Sequence, residues 1–139
     1  MMDATKALID AAREAATRAY APYSNFHVGA AIRLTDGRIV TGANVENASY
    51  GLSLCAETVA IAKIANDGML GEVVEVAVTG GTGATTISPC GRCRQILNEA
   101  AQLGGRDLTV HCASGDGSAL ESHALSYLLP KAFGPADLI

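Results

Sequence analysis

Three cysteines and one glutamate are the residues here whose types and spacing suit chemistry. Cys90 and Cys93 form a Cys-x-x-Cys pair directly after Pro89, and Cys55 lies upstream, two residues before Glu57. Spacing of three on an opening helix puts both sulfurs on one face, which suits metal ligation. Pro89 marks such an opening, because proline is favoured at helix starts. Residues two apart in a regular helix point about 200° apart. Cys55 and Glu57 therefore face one site only if Cys55 sits at the helix cap, outside regular geometry. Two helix N-termini aimed at one point favour thiolates. Three thiolates suit zinc, one ion per chain, and leave a fourth position for water, which is the catalytic arrangement. A carboxylate beside that position can take a proton from water and deliver one to a leaving amine.

Plainer readings compete with this one. Glu57 alone would be a first-turn acid favoured by the helix dipole, and only its place among the thiols argues for catalysis. A closed four-thiol site would need Cys112, which has no Cys-x-x-Cys partner and lies in the β-run His111-Cys112-Ala113, where a small buried thiol is ordinary. A redox disulfide between Cys90 and Cys93 would be expected just after the first strand of a thioredoxin-like unit, whereas three elements precede this pair.

The elements that must position these groups follow from the pattern. Residues 5–19 carry Ala, Leu and Ile at helical spacing with Asp3 or Thr5 as cap, and Pro22 lies in the break that follows. Phe26 to Leu34 and Arg38 to Ala43 read as strands around the Asp36-Gly37 turn. Residues 55–66 are helical, stopping at Asn66-Asp67-Gly68, and Val73 to Thr79 is a β-branched strand. Gly80 to Ser88 is a plain connection, lacking the Lys and Ser/Thr of a phosphate-binding loop. Residues 91–103 form a second helix ending at Gly104-Gly105. Leu108 to Ala113 and Ser118 to His123 are strands, and Leu125 to Leu129 is a helical turn before Pro130. The order α-β-β-α-β-α-β-β predicts an α/β domain, a mixed sheet with helices on its faces.

Composition narrows the partners. The 139 residues suit one domain over residues 1–139, and 49% apolar against 17% charged residues excludes an intrinsically disordered chain. No apolar stretch approaches a membrane span. The first twenty residues carry acids and no apolar block, which is unlike a secretory signal and predicts a cytoplasmic chain with reduced thiols. A net charge of −4, scattered basic residues and no Trp argue against nucleic acid as the partner. A small-molecule substrate survives these exclusions.

At Cys55-Ala56-Glu57 and Pro89-Cys90-Gly91-Arg92-Cys93-Arg94-Gln95 the sequence resembles the zinc-dependent cytidine deaminases, in their small homotetrameric three-cysteine form. The likeness extends to Pro22-Tyr23-Ser24, Phe26-His27-Val28-Gly29-Ala30-Ala31, Asn44-Val45-Glu46-Asn47-Ala48-Ser49-Tyr50-Gly51, and Leu128-Leu129-Pro130 with Phe133. It implies a three-layer fold with a five-stranded mixed sheet. It also implies hydrolytic deamination of cytidine and 2′-deoxycytidine to uridine and 2′-deoxyuridine with release of ammonia, in pyrimidine salvage. Zinc would be held by Cys55, Cys90 and Cys93, with Glu57 as the proton shuttle.

The resemblance carries further residues. Asn44 and Glu46 match a pair that grips the ribose hydroxyls; spaced two apart on an extended segment, they face one side. Phe26 matches an aromatic packed on the pyrimidine, and Ala56 would offer its backbone N–H to the base carbonyl. Tyr50 matches a tyrosine near a subunit boundary, and Phe133 an aromatic entering a neighbouring subunit's site. His27, His111 and His123 match no zinc ligand. Many relatives carry Arg after the catalytic Glu, where this chain has Thr58, which leaves Arg94 to offset the charge of three thiolates. The rival readings are a deaminase of another small cytosine nucleoside such as a nucleoside antibiotic, a nucleic-acid-editing deaminase, and a structural zinc module without activity.

Overall fold

A computed structural model describes residues 2–138. Its elements are α1 (Met2–Ala16), β1 (Val28–Leu34), β2 (Ile39–Ala43), α2 (Ala56–Asn66), β3 (Val73–Gly80), α3 (Gly91–Gly104), β4 (Thr109–Ser114), β5 (Leu120–Ala124) and α4 (Leu125–Leu128), with short 3₁₀ turns at Tyr50–Leu52, Leu70–Glu72 and Pro135–Asp137. The strands form one sheet in the order β2-β1-β3-β4-β5. β1 runs antiparallel to β2 and β3, β3 is parallel to β4, and β4 is antiparallel to β5. A parallel pair needs a crossover, and α3 supplies it.

Alternation along the strands divides the core. Ile32 and Leu34 of β1, Val76 and Val78 of β3, and Val110 and Cys112 of β4 pack with Ile64 of α2 and Leu97 of α3. The other face presents Ala31 and Ala77 to Leu8 and Ala12 of α1. Helices therefore cover both faces, and the expected three layers form. β5 is the exposed edge, and its Glu121 and His123 suit an edge that must not pair with other chains.

The first helix differs from its sequence reading by three residues at each end. It spans Met2–Ala16 rather than 5–19, so Asp3 and Thr5 lie inside it and its cap falls outside the described residues. At the other end the backbone tightens: the N–H groups of Thr17, Arg18 and Ala19 bond to the carbonyls three residues back. The Thr17 hydroxyl also donates to the Glu14 carbonyl at 2.6 Å. That local bond competes with continued helix, which apolar periodicity does not register.

Two features set the position of α2, which bears Cys55 at its cap. Gly42 of β2 lies under the helix, where a Cβ would stand 2.5 Å from the Ala56 carbonyl oxygen and 2.6 Å from the Ala60 nitrogen. Both are backbone atoms, so only the absence of a side chain allows this approach. Gly42→Ala is expected to push α2 off the sheet and destabilise the fold by about 1–3 kcal/mol, as overpacking does, seen as a lowered unfolding midpoint. The second feature is the extended segment after β2. Val45 bridges Tyr20 on one side and Leu54 on the other. The Tyr20 N–H donates to the Asn44 carbonyl at 3.0 Å, and Val45 and Leu54 exchange a pair of backbone bonds at 2.9 Å. The chain thereby runs from Asn44 and Glu46 to Cys55 along one fixed strap.

Candidate metal centre and substrate cavity

Cys55 is the N-cap of α2 and Cys90 the N-cap of α3, both with extended backbone, at ψ 156° and 168°. Cys55 thus stands outside regular helical geometry, as the clash between its spacing and that of Glu57 requires. Cys93 lies in the first turn of α3 and is fully buried. The three sulfurs lie within 4.8 Å of one another. Those of Cys55 and Cys90 are 3.8 Å apart. A tetrahedron of Zn–S bonds of about 2.3 Å puts its sulfurs about 3.8 Å apart, so the donors fit this ion in type and spacing. Cys112 is buried on β4 within the larger core and is no member of the group.

The electrostatics point the same way. Burial pushes the Cys55 and Cys93 thiols up, and the nearby Glu57 carboxylate adds to it. Burial also opposes ionisation of Cys90, but the Cys93 backbone N–H, the Cys55 thiol and the Arg92 N–H donate to its sulfur and bring it below the ordinary thiol value. Without a cation, burial favours the protonated form of Cys55 and Cys93. A divalent ion reverses that balance and takes three thiolates.

Glu57 follows Ala56 in the first turn of α2 and is 4% exposed. Desolvation raises its carboxyl above the usual range, while its own backbone N–H and the Cys93 thiol partly offset the rise. Glu57, Cys55 and Cys90 share the floor of a cavity of about 290 Å³. Phe26, Asn44, Glu46 and Ala56 line the same cavity, so four of the six substrate positions expected from sequence converge with the metal site.

The sequence pattern of the cytidine and deoxycytidylate deaminase zinc-binding region matches residues 2–104. The chain belongs to this family. It is similar to a cytidine deaminase of Mycobacterium tuberculosis (strain ATCC 25618 / H37Rv), 45% identical over 127 residues, or 91% of this chain and 87% of the relative. A cytidine deaminase of Halalkalibacterium halodurans is 42% identical over 131 residues, 94% of this chain and 95% of the relative. The crystal structure of cytidine deaminase from Burkholderia pseudomallei superposes with a TM-score of 0.83 at 45% identity, covering 92% of this chain and 98% of that one.

Within this member of the family the polar wall is held by local bonds. Glu46 accepts the N–H groups of Tyr23 and Ser24 at 3.0 and 3.1 Å, and the Ser24 hydroxyl as well. These donors hold its carboxyl below the ordinary value, the Ser24 hydroxyl most of all. Asn44 donates to the Phe26 carbonyl and accepts from the Val28 N–H, each at 2.9 Å. Its amide thereby fixes the Phe26 backbone and keeps one N–H for a ligand. The ring of Phe26 rests on Gly81, whose φ is +71° and where a Cβ would stand 2.6 Å from ring carbon Cε1.

Tyr50 and Phe133 lie outside the cavity. Tyr50 is 74% exposed, with its ring 5.9 Å from that of Tyr23. It borders a neighbouring hollow that shares Glu46 and Ser53 with the cavity. The Phe133 carbonyl accepts from Gln95 at 2.7 Å and Asn98 at 3.2 Å, which turns out a ring-bearing residue that is 59% exposed. Arg94 directs Nε to the Pro89 carbonyl at 2.7 Å and Nη1 to the Leu128 carbonyl at 2.8 Å, so its described bonds go to backbone rather than to sulfur.

Sequence reasoning did not find Ser53, Leu54, Ile87 and Ser88 as cavity walls. Their only available signal was adjacency: each pair immediately precedes a zinc segment, before Cys55 or before Pro89-Cys90.

Proposed function

We propose that this chain, as a single deaminase domain, is a zinc-dependent cytidine deaminase that hydrolyses cytidine and 2′-deoxycytidine to the uridines and ammonia. The observation that carries the reading is a cluster of three metal-competent sulfurs, two of which line one cavity with buried Glu57 and with Phe26, Asn44 and Glu46. Zinc held by Cys55, Cys90 and Cys93 supplies Lewis acidity, which brings the ionisation of a water molecule near neutrality.

The chain's own groups do the rest. Glu57 takes a proton from the attacking water as oxygen adds to C4 of the base. It passes that proton to ring N3, then moves the second one from the new C4 hydroxyl to the exocyclic nitrogen, which leaves as ammonia as the C4–N bond breaks and the C4 carbonyl forms. Phe26 packs on the pyrimidine. The Ala56 N–H, in the first turn of α2 where helical amides lack internal partners, donates to the base carbonyl. Asn44 and Glu46 hold the ribose hydroxyls, Glu46 through lone pairs beyond those already used by Tyr23 and Ser24. Arg94 fixes the turn before Cys90, from where its charge offsets the thiolates.

Free nucleosides fit better than nucleotides, because no Lys or Arg lines the cavity and two carboxylates do. Turnover of cytidine, 2′-deoxycytidine, their 5′-monophosphates and a cytosine-containing oligonucleotide, compared side by side, tests this. Nucleosides are expected to turn over, with monophosphates and oligonucleotide at least tenfold slower, about 1.4 kcal/mol in transition-state terms. Faster turnover of a monophosphate overturns the assignment. We place the reaction in cytoplasmic pyrimidine salvage, where reduced thiols can take up the metal.

Assembly into a homotetramer completes the reading. Phe133 sits on a tail segment with its side chain mostly exposed, at a cost of roughly 1.5–3 kcal/mol relative to burial. Tyr50, Leu52 and Tyr20 are also exposed, Tyr50 beside the hollow that adjoins the cavity. Phe133→Ala is expected to raise KM or lower kcat with zinc retained. A fully active monomer by light scattering at assay concentration contradicts the shared site.

A further inference from the structure

The two helices that meet at the metal centre open in the same way. Each has a cysteine at its N-cap, Cys55 on α2 and Cys90 on α3. Three residues on, α3 presents Cys93 and α2 presents Thr58. These two equivalent positions touch: Thr58 Oγ1 lies 3.4 Å from Cys93 Sγ. Once Cys93 binds a metal it has no proton, so in that contact the hydroxyl is the donor and the sulfur the acceptor.

The surroundings make this bond matter. Cys93 is the fully buried ligand, so solvent cannot screen its charge. Cys90, more exposed, already receives backbone N–H groups from Arg92 and Cys93. The nearby guanidinium groups are engaged elsewhere: Arg94 with the Pro89 and Leu128 carbonyls, and Arg92 with the Ser53 carbonyl at 3.4 Å. Thr58 is the hydroxyl-bearing side chain set against a ligand sulfur, and the carboxyl of Glu57, which also faces Cys93, cannot donate to a thiolate once ionised.

We propose that Thr58 is a positioning residue for the metal: its hydroxyl donates to the Cys93 thiolate, orients that ligand and draws off part of its charge. This rests on the zinc reading above and adds a residue to it. Groups that hydrogen-bond a metal ligand typically change metal affinity about 10–100-fold when removed. A bond to sulfur also lowers the energy of its lone pairs. Losing it should shift sulfur-to-metal charge transfer to longer wavelength.

The test uses full-length protein stripped of metal and reloaded. Zinc affinity is measured by competition with a chromophoric chelator, and charge transfer by the absorption of the cobalt(II)-loaded protein. Thr58→Val keeps the shape and removes the hydroxyl; Thr58→Ser keeps the hydroxyl. Expected are a roughly 10–100-fold loss of zinc affinity and a longer-wavelength cobalt band for Thr58→Val, with Thr58→Ser close to the parent in both. If Thr58→Val does not fold, Thr58→Ala against Thr58→Ser makes the same comparison. Parent-like affinity and band position without the hydroxyl overturn the proposal, as does a loss in Thr58→Ser equal to that in Thr58→Val. A parent protein that binds no zinc would instead defeat the metal reading itself.

Discussion

Replacing Glu57 by glutamine is expected to abolish most turnover while leaving fold and zinc in place. The amide is nearly isosteric with the carboxylate, and the residue is buried without a cationic partner among the described residues, so neither packing nor an ion pair is lost there. What disappears is the group proposed to accept and return protons in the cavity. Loss of general acid–base catalysis alone typically costs about 10²–10⁴-fold. In the proposed mechanism one carboxylate serves water, ring N3 and leaving amine, so the upper end of that range is expected. Steady-state kinetics on protein of verified zinc content check it. Activity within about threefold of the parent, well short of that range, would remove Glu57 from the mechanism.

The second large effect separates the four cysteines. Cys90→Ala removes one of three sulfurs and is expected to leave substoichiometric zinc and no measurable deamination. Two thiolates fall short of the three protein ligands that hold zinc in a catalytic site. Cys112→Ala is expected to keep one zinc per chain, since Cys112 packs in the core away from the cluster. Its cost is stability, through the small void left on β4. Metal analysis of both purified variants decides the assignment. Stoichiometric loss of zinc in the Cys112 variant would restore the four-thiol reading.

The metal centre was legible because its geometry is local. Cys90 and Cys93 lie on one helical turn, and the conflict between Cys55 and Glu57 has one resolution, the helix cap that the structure shows. The strands were legible for a similar reason: burial on both faces writes β-branched runs such as Val73 to Thr79 into the chain. Helix ends were less so, because Thr17 stops α1 with a side-chain bond that periodicity does not see.

Long-range contacts were the least readable. The cavity walls at Ile87 and Ser88 come from a loop without pattern, brought to Phe26 and Val28 by the sheet. Asn44 was read as a ribose contact, and its amide also bridges the Phe26 and Val28 backbone, a task no spacing rule reveals. At Thr58 the sequence displayed only a missing charge. The 3.4 Å approach to Cys93 depends on how two helix starts are set against each other, and that is a property of packing.

The measurement closest to the central claim is the ultraviolet absorbance of cytidine mixed with this protein, stripped of metal in one sample and reloaded with one zinc per chain in another. The account predicts conversion to uridine with stoichiometric ammonia in the zinc-loaded sample, and none above background in the stripped one. Equal rates in the two samples, or an unchanged cytidine spectrum with fully zinc-loaded protein, would contradict it.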